Sequence, residues 1–249
     1  MHYWSKKLHL RTERGENVSK GGQIVDFLPT EVFPGIVVNI QTLYMSWVVM
    51  FLVAFIVIVV SRNPKLVPGN LQLFIEAVYE GIGNMAGENL GEKGKKMMTP
   101  FFITLFLYIF IGNEIGLIPQ VLESFHIHIT SPTADLNTTL GLALLVIGLI
   151  YILGIARHGL GYFAHFFQPS IFMFPINLLD ELAKPVTMSF RLFGNIIAGE
   201  ILLIVLYQMV PWIAPGIWLA YSFAIGIIQA MIFCALGICY MRGAFSEEH

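Results

Sequence analysis

Apolar positions along this chain fall into long, nearly uncharged runs separated by short polar stretches. Residues 43–60 (LYMSWVVMFLVAFIVIVV), 101–118, 136–156 and 217–241 form four such runs, and only the second holds a charged residue, Glu114. At 1.5 Å per residue each spans or nearly spans a hydrocarbon core of about 30 Å, so each predicts a membrane helix. Residues 71–85 (LQLFIEAVYEGIGNM) follow another rule: Leu71, Phe74, Ile75, Val78, Ile82 and Met85 recur every three or four positions, with Gln72, Glu76 and Glu80 on the other side. This predicts an amphipathic helix on the membrane face or against a partner, too polar to span. Residues 174–207 read as helix but carry Asp180, Glu181, Lys184, Arg191, Asn195 and Glu200. A helix of that length would measure about 50 Å, too long to stand upright in the bilayer, so it must run steeply tilted and be shielded from lipid. Pro185 is tolerable within it as a kink, and Pro211 with Pro215 turns the chain into the last helix.

The expected architecture is an all-α polytopic membrane protein: about five membrane helices, a surface amphipathic helix, and a long, steeply tilted helix pair at the end. An extramembrane tail covers 1–34 and a single membrane domain 35–249. Helices are placed at about 37–61, 70–90 (surface), 98–118, 134–156, 172–208 and 214–243.

Composition supports the membrane assignment. Of the 249 residues 56% are hydrophobic and only 12% charged, about half the charged fraction of a soluble domain. A net charge of −2, with no basic run beyond GEKGKK at 91–96, argues against a nucleic-acid partner. Cys234 and Cys239 are the only cysteines; five apart on an apolar helix they point in different directions and read as small core hydrophobes. No metal site or cofactor is expected. The first 30 residues lack the apolar stretch of a usual signal peptide.

Loop charges set the topology. The connection 61–100 holds Arg62, Lys65, Lys93, Lys95 and Lys96, whereas 119–135 (PQVLESFHIHITSPTAD) holds no Lys or Arg. The former is then cytoplasmic and the latter external. RHGLGYF from Arg157 is again positive and falls inside, which leaves the N-terminus external and the C-terminus cytoplasmic. The tail strains the rule, because it carries Lys6, Lys7, Arg11, Arg14 and Lys20.

The polar positions of the long helix share one face. Asn177, Asp180 or Glu181, Lys184, Thr187 or Met188, Arg191 and Asn195 recur every three or four residues. Asp180 and Lys184, spaced i,i+4, can pair. Arg191 finds only Thr187, Met188, Gly194 and Asn195 at those offsets. Its guanidinium does not lose its proton on burial, so its counter-charge must come from another helix or another chain. Glu200 stands nine residues on, half a turn away, and cannot neutralise it. A buried helix that holds a permanent cation on one side and a titratable acid on the other is built to keep two charged regions apart. At bilayer depth such groups cost roughly 2.5 to 3.5 kcal/mol each even on the lenient insertion scale.

The stretch SFRLFGNIIAGE at 189–200, preceded by INLLDELAKPVTM and followed by GIIQAMIF, resembles the subunit a family of F-type ATP synthases. GNEIGLIP at the end of the second span, SPTADLNTTLGLAL at the start of the third, and the SEEH terminus also match. The likeness covers about 35–249 and is closest in pattern to the bacterial, cyanobacterial and chloroplast branch. Two positions depart: Ser222 stands where some members have histidine, and Gly116 where some have an acid, with Glu114 two residues earlier.

The resemblance implies a non-catalytic, ion-conducting stator whose tilted helix pair faces the ring of c subunits. That ring's carboxylates would supply the missing counter-charge of Arg191. It implies two half-channels, a peripheral stalk subunit b as a further partner, and the bacterial plasma membrane or, as the alternative, the thylakoid membrane. Arg191, Glu200, Asn195, Gln229, Glu114 and Ser222 are the candidate ion-translocation residues. For Glu200 and Gln229 the plainer alternative is a polar pair between helices, for Asn195 a helix bridge, and for Glu114 an interfacial residue reaching water. Asp180, Glu181 and Lys184 read as structural groups closing the cytoplasmic end of the tilted helix, and Asn113, Asp135 and Asn137 as accessory polar groups. His126 and His128 read as solvated loop groups, with a place at a channel mouth as the alternative. H⁺ is preferred over Na⁺ as the coupling ion. A secondary transporter with its own substrate site is the competing function; the absence of an internal repeat weighs against it. No G-x-x-x-x-G-K-[ST] loop occurs, so nucleotide chemistry is placed elsewhere in a complex.

Overall fold

The structure is a computed structural model that describes residues 30–33, 36–38, 40–62, 69–116, 131–159, 161–162, 171–210 and 213–245. The expectations for residues 1–29, for the connection holding His126 and His128, and for the SEEH terminus lie outside the described residues.

The chain divides into two units, 1–40 and 41–249. In the first, strands β1 (Thr30–Phe33) and β2 (Ile36–Val38) form an antiparallel hairpin that pairs Thr30 with Val38 and Phe33 with Ile36. The sequence reading missed this hairpin, because strands of four and three residues are too short to show a period of two.

The second unit is helical. Its long helices are α1 (Ile40–Arg62), α2 (Asn70–Ile115), α3 (Leu136–His158), α4 (Phe174–Met209) and α5 (Ala214–Phe245). Among the described residues five helices are long and apolar enough to cross a membrane, so the chain is a polytopic all-α membrane protein. In α1 most side chains face outward; Thr42, Val49 and Val53 are buried, and Ser46 hydrogen-bonds Tyr108 of α2.

α2 departs most from the expected boundaries. Gly91 breaks it with φ 72° and ψ 176°, a backbone region that essentially only glycine enters. The limb before Gly91 folds back along the limb after it: Phe74 packs on Phe106 and Phe110, with ring centroids 6.5 and 5.8 Å apart, and the side chain of Lys95 lies over Gly83 and Gly87. The apolar face read at 71–85 is thus covered largely by the chain's own second span, with Val78 and Ile82 buried and Leu71 exposed. The second limb is helical from directly after Gly91, six residues before the expected start at 98. Glu92, Lys93, Lys95 and Lys96 make its first turns polar, which hid them from a hydropathy reading.

The core forms where α2, α3, α4 and α5 meet, around Phe102, Phe106, Phe233, Met188, Leu192, Ile238 and Met241. Close approach is bought by small residues: a β-carbon on Gly237 would lie 2.8 Å from the Phe102 ring, and Cys234 Sγ donates to the Phe102 carbonyl at 3.4 Å. Cys234 is thus the buried core hydrophobe expected, while Cys239 is exposed. With 36 residues α4 measures about 54 Å, and Pro185 sits inside it without ending it.

Candidate functional site

Two features of α4 define the site: an exposed face that carries Arg191 and a cavity further along the helix. Its exposed side carries Ala183, Thr187, Arg191, Gly194, Ala198, Ile201 and Val205 at three- and four-residue spacing, small or apolar except for Thr187 and Arg191. Arg191 is on this exposed face. Among the described residues no carboxylate lies within ion-pair distance of it. Leu192 and Met188 occupy the buried side, which turns the guanidinium outward.

Beyond Arg191, α4 meets α2 and α5 around a cavity of about 150 Å³. Glu114 and Asn113 enter its wall from the last turn of α2, Asn195 and Glu200 from α4, and Ser222 from α5. Five of the sequence-derived candidates therefore share one cavity although up to 109 positions separate them (Asn113 to Ser222). Glu114, Asn195, Glu200 and Ser222 are half-buried, and Asn113 is buried. Ala198 and Leu202 line the cavity and are also exposed, so it reaches toward the Arg191 face about two helical turns beyond Arg191.

The wall holds both fixed and unpaired polar groups. Thr133 Oγ1 donates to Asn113 Oδ1 at 2.8 Å and lies 2.7 Å from Ser131 Oγ, which donates to the Gly112 carbonyl at 2.8 Å. Trp218 Nε1 donates to the Gly199 carbonyl at 3.1 Å and ties α5 to α4 beside Glu200. Among the described residues Asn113 Nδ2, Glu114 Oε1 and Gln229 Nε2 are buried without a hydrogen-bond partner. Such groups are costly unless water or an ion meets them, and a space of this size has room for several waters. Gln229 is buried one turn beyond the cavity-lining Gly226 and does not itself line the space.

The accessory residues sort differently. Asp135 is the N-cap of α3 and accepts from the Asn137 backbone at 2.8 Å, a local helix-start role. Lys184 pairs with Glu181 at 2.6 Å rather than with Asp180, which is exposed. Neighbouring residues on a helix diverge by about 100°, and Glu181 is the one that turns inward to hydrogen-bond Tyr151 of α3. The Lys184 ammonium also lies 5.3 Å from the centre of the Tyr240 ring of α5. These contacts bind the start of α4 to both neighbours. His126 and His128 lie outside the described residues.

Sequence reasoning missed Trp218, Gly226, Ser131 and Thr133. Trp218 carried a weak signal as an aromatic near a span end; the other three stand in the family-like stretches SPTADLNTTLGLAL and GIIQAMIF without being singled out.

Among the described residues no group of three or more His, Cys, Asp or Glu side chains could hold a metal ion. Residues 43–242 match the ATP synthase A chain family. A similar curated protein is ATP synthase subunit a of Desulforamulus reducens, 38% identical over 224 residues, covering 86% of this chain and 82% of the relative.

Proposed function

The chain belongs to the ATP synthase A chain family, and from that premise we propose that it is the ion-conducting stator of a rotary motor, facing a ring of c subunits across α4. Membership makes it a multi-pass membrane component of the Fo sector. The observation that carries the finer reading is the division of α4: Arg191 on the exposed face, and Glu200, half a turn away, in the wall of the cavity.

In this reading the cavity belongs to the external half-channel. An ion enters past Glu114, Ser222 and Asn195, is held at Glu200, and leaves toward the ring beside Ala198. There it neutralises a ring carboxylate, which can then rotate through lipid. Arg191 stands about 10 Å back along the same face and attracts each carboxylate once its ion has left by the cytoplasmic half-channel. A permanent cation serves this role because it cannot release its proton to the path and so short-circuit the two half-channels. The driving energy is about 2.3 kcal/mol per elementary charge per 100 mV.

The chain holds no catalytic group in this scheme; ATP is made elsewhere in the complex. The peripheral stalk subunit b is the further partner, H⁺ the preferred coupling ion, and the bacterial plasma membrane the location, with an external N-terminus and a cytoplasmic C-terminus.

Reconstitution tests the reading. The complete complex in vesicles should pump ions on ATP addition, while the purified chain alone should move neither ions nor solutes at a comparable rate. Solute transport by the chain alone would overturn the stator reading in favour of a transporter.

A further inference from the structure

The wall of the cavity contains one contact that polarity and burial do not explain. Gly226 of α5 is buried directly against the Glu114 carboxyl group. A β-carbon built on Gly226 would collide with Glu114 Oε1 and would lie 3.5 Å from the carboxyl carbon and 3.9 Å from Asn113 Cβ. Glu114 Oε1 is also the oxygen that is buried without a partner among the described residues. The acid is therefore pressed onto bare backbone, where Gly226 offers it a C–H···O contact.

The neighbouring residues fix this arrangement. Asn113 is held by Thr133 at 2.8 Å, and Ser131 holds the Gly112 carbonyl at 2.8 Å, so the last turn of α2 is pinned just before Glu114. Ser222 and Gln229 lie four residues before and three after Gly226, on the same face of α5. The seat thus lies between a hydroxyl that lines the cavity and a buried amide whose Nε2 has no partner among the described residues.

We infer that Gly226 is a positioning residue of the ion path: by lacking a β-carbon it seats the Glu114 carboxyl group deep in the cavity wall, where the entering cation meets it before Glu200. This rests on the external half-channel proposed above. The group a β-carbon would meet is the far end of a flexible side chain, not backbone, so a methyl at 226 displaces the acid and leaves the helices in place. Shortening the acid by one methylene returns that space.

The test uses the complete complex in vesicles. ATP-driven ion uptake is followed with a pH dye, or with radiosodium if Na⁺ drives the wild type, and ATP hydrolysis and subunit content are measured alongside. Gly226→Ala should assemble and lose ion uptake by up to about a hundredfold, the scale expected when a reacting group is misplaced by about 1 Å. Adding Glu114→Asp should restore most of the uptake, whereas adding Glu200→Asp should not, because only the first pair is in contact. Wild-type uptake in Gly226→Ala overturns the inference, as does a loss that neither partner rescues or that both rescue equally. If Gly226→Ala fails to assemble, Glu114→Asp must restore assembly, or the inference falls. Glu200→Gln separates the two levels of the argument: normal uptake in that variant sinks the half-channel itself, while lost uptake beside an unaffected Gly226→Ala sinks only the seat.

Discussion

Arg191 and Glu200 stand nine residues apart on one continuous helix and face opposite sides of it, the arginine outward and the glutamate into the cavity between α2, α4 and α5. A helix advances 100° per residue, so this opposition is built into the spacing and does not depend on loop conformation. It holds the two charges apart more rigidly than placement on separate helices would.

Arg191→Ala should abolish ATP synthesis and ATP-driven ion pumping while subunit content remains near wild type, because the side chain packs on nothing in the core. Arg191→Lys should not restore coupling, since a flexible ammonium whose pKa shifts on burial does not replace a fixed guanidinium. Coupled synthesis in the alanine variant, measured on inverted vesicles, would refute the stator role.

Glu200→Gln preserves size and hydrogen bonding but removes the titratable site. Coupled flux should drop severely with the complex intact. Flux near wild type would make Glu200 a packing residue and assign the route to other groups.

A cysteine at position 76 reports the topology. Glu76 is exposed and accepts a hydrogen bond from Gln72 at 2.7 Å. In a background where the exposed Cys239 is replaced by serine, Glu76→Cys should react with a membrane-impermeant thiol reagent from the cytoplasmic side. Labelling from the outside alone would invert the assigned orientation.

Gly91→Ala should destabilise the subunit by about 1 to 3 kcal/mol, the usual cost of forcing a β-carbon into a sparsely populated backbone region. Heat challenge of the detergent-solubilised complex, followed by the loss of this subunit, measures it. A variant as heat-resistant as wild type would mean that the reversal at 91 tolerates a side chain.

How much of this was legible depended on the range over which each signal acts. The spans were legible because a run such as 43–60 reports its surroundings residue by residue, and the opposed faces of Arg191 and Glu200 because helical periodicity is local. Glu114 and Ser222 could be listed as candidates from motif and position. The contact between Glu114 and Gly226 had no local trace: it joins residues 112 positions apart, and glycine leaves no mark in a hydropathy profile. The choice of Glu181 over Asp180 as the partner of Lys184 was open for a related reason. Both acids lie within reach on the helix, and the tyrosine on α3 that selects between them belongs to a distant part of the sequence. The return of the limb 70–90 along 92–115 was hidden because its turn is a single glycine flanked by charges, which reads as an ordinary loop.

That single-residue reversal also bears on how the subunit folds. Contacts across α2 begin beside Gly91 and extend in steps, from Lys95 on Gly87 and Gly83 to Phe74 on Phe106 and Phe110. The sequence separations rise from 8 to 36 residues along this series, and the entropy of closure grows slowly with length. The hairpin can therefore zip from its turn toward its ends as an early, local event. The pairing of α2 with α5, which spans more than a hundred residues, has to wait until the rest of the chain has been made.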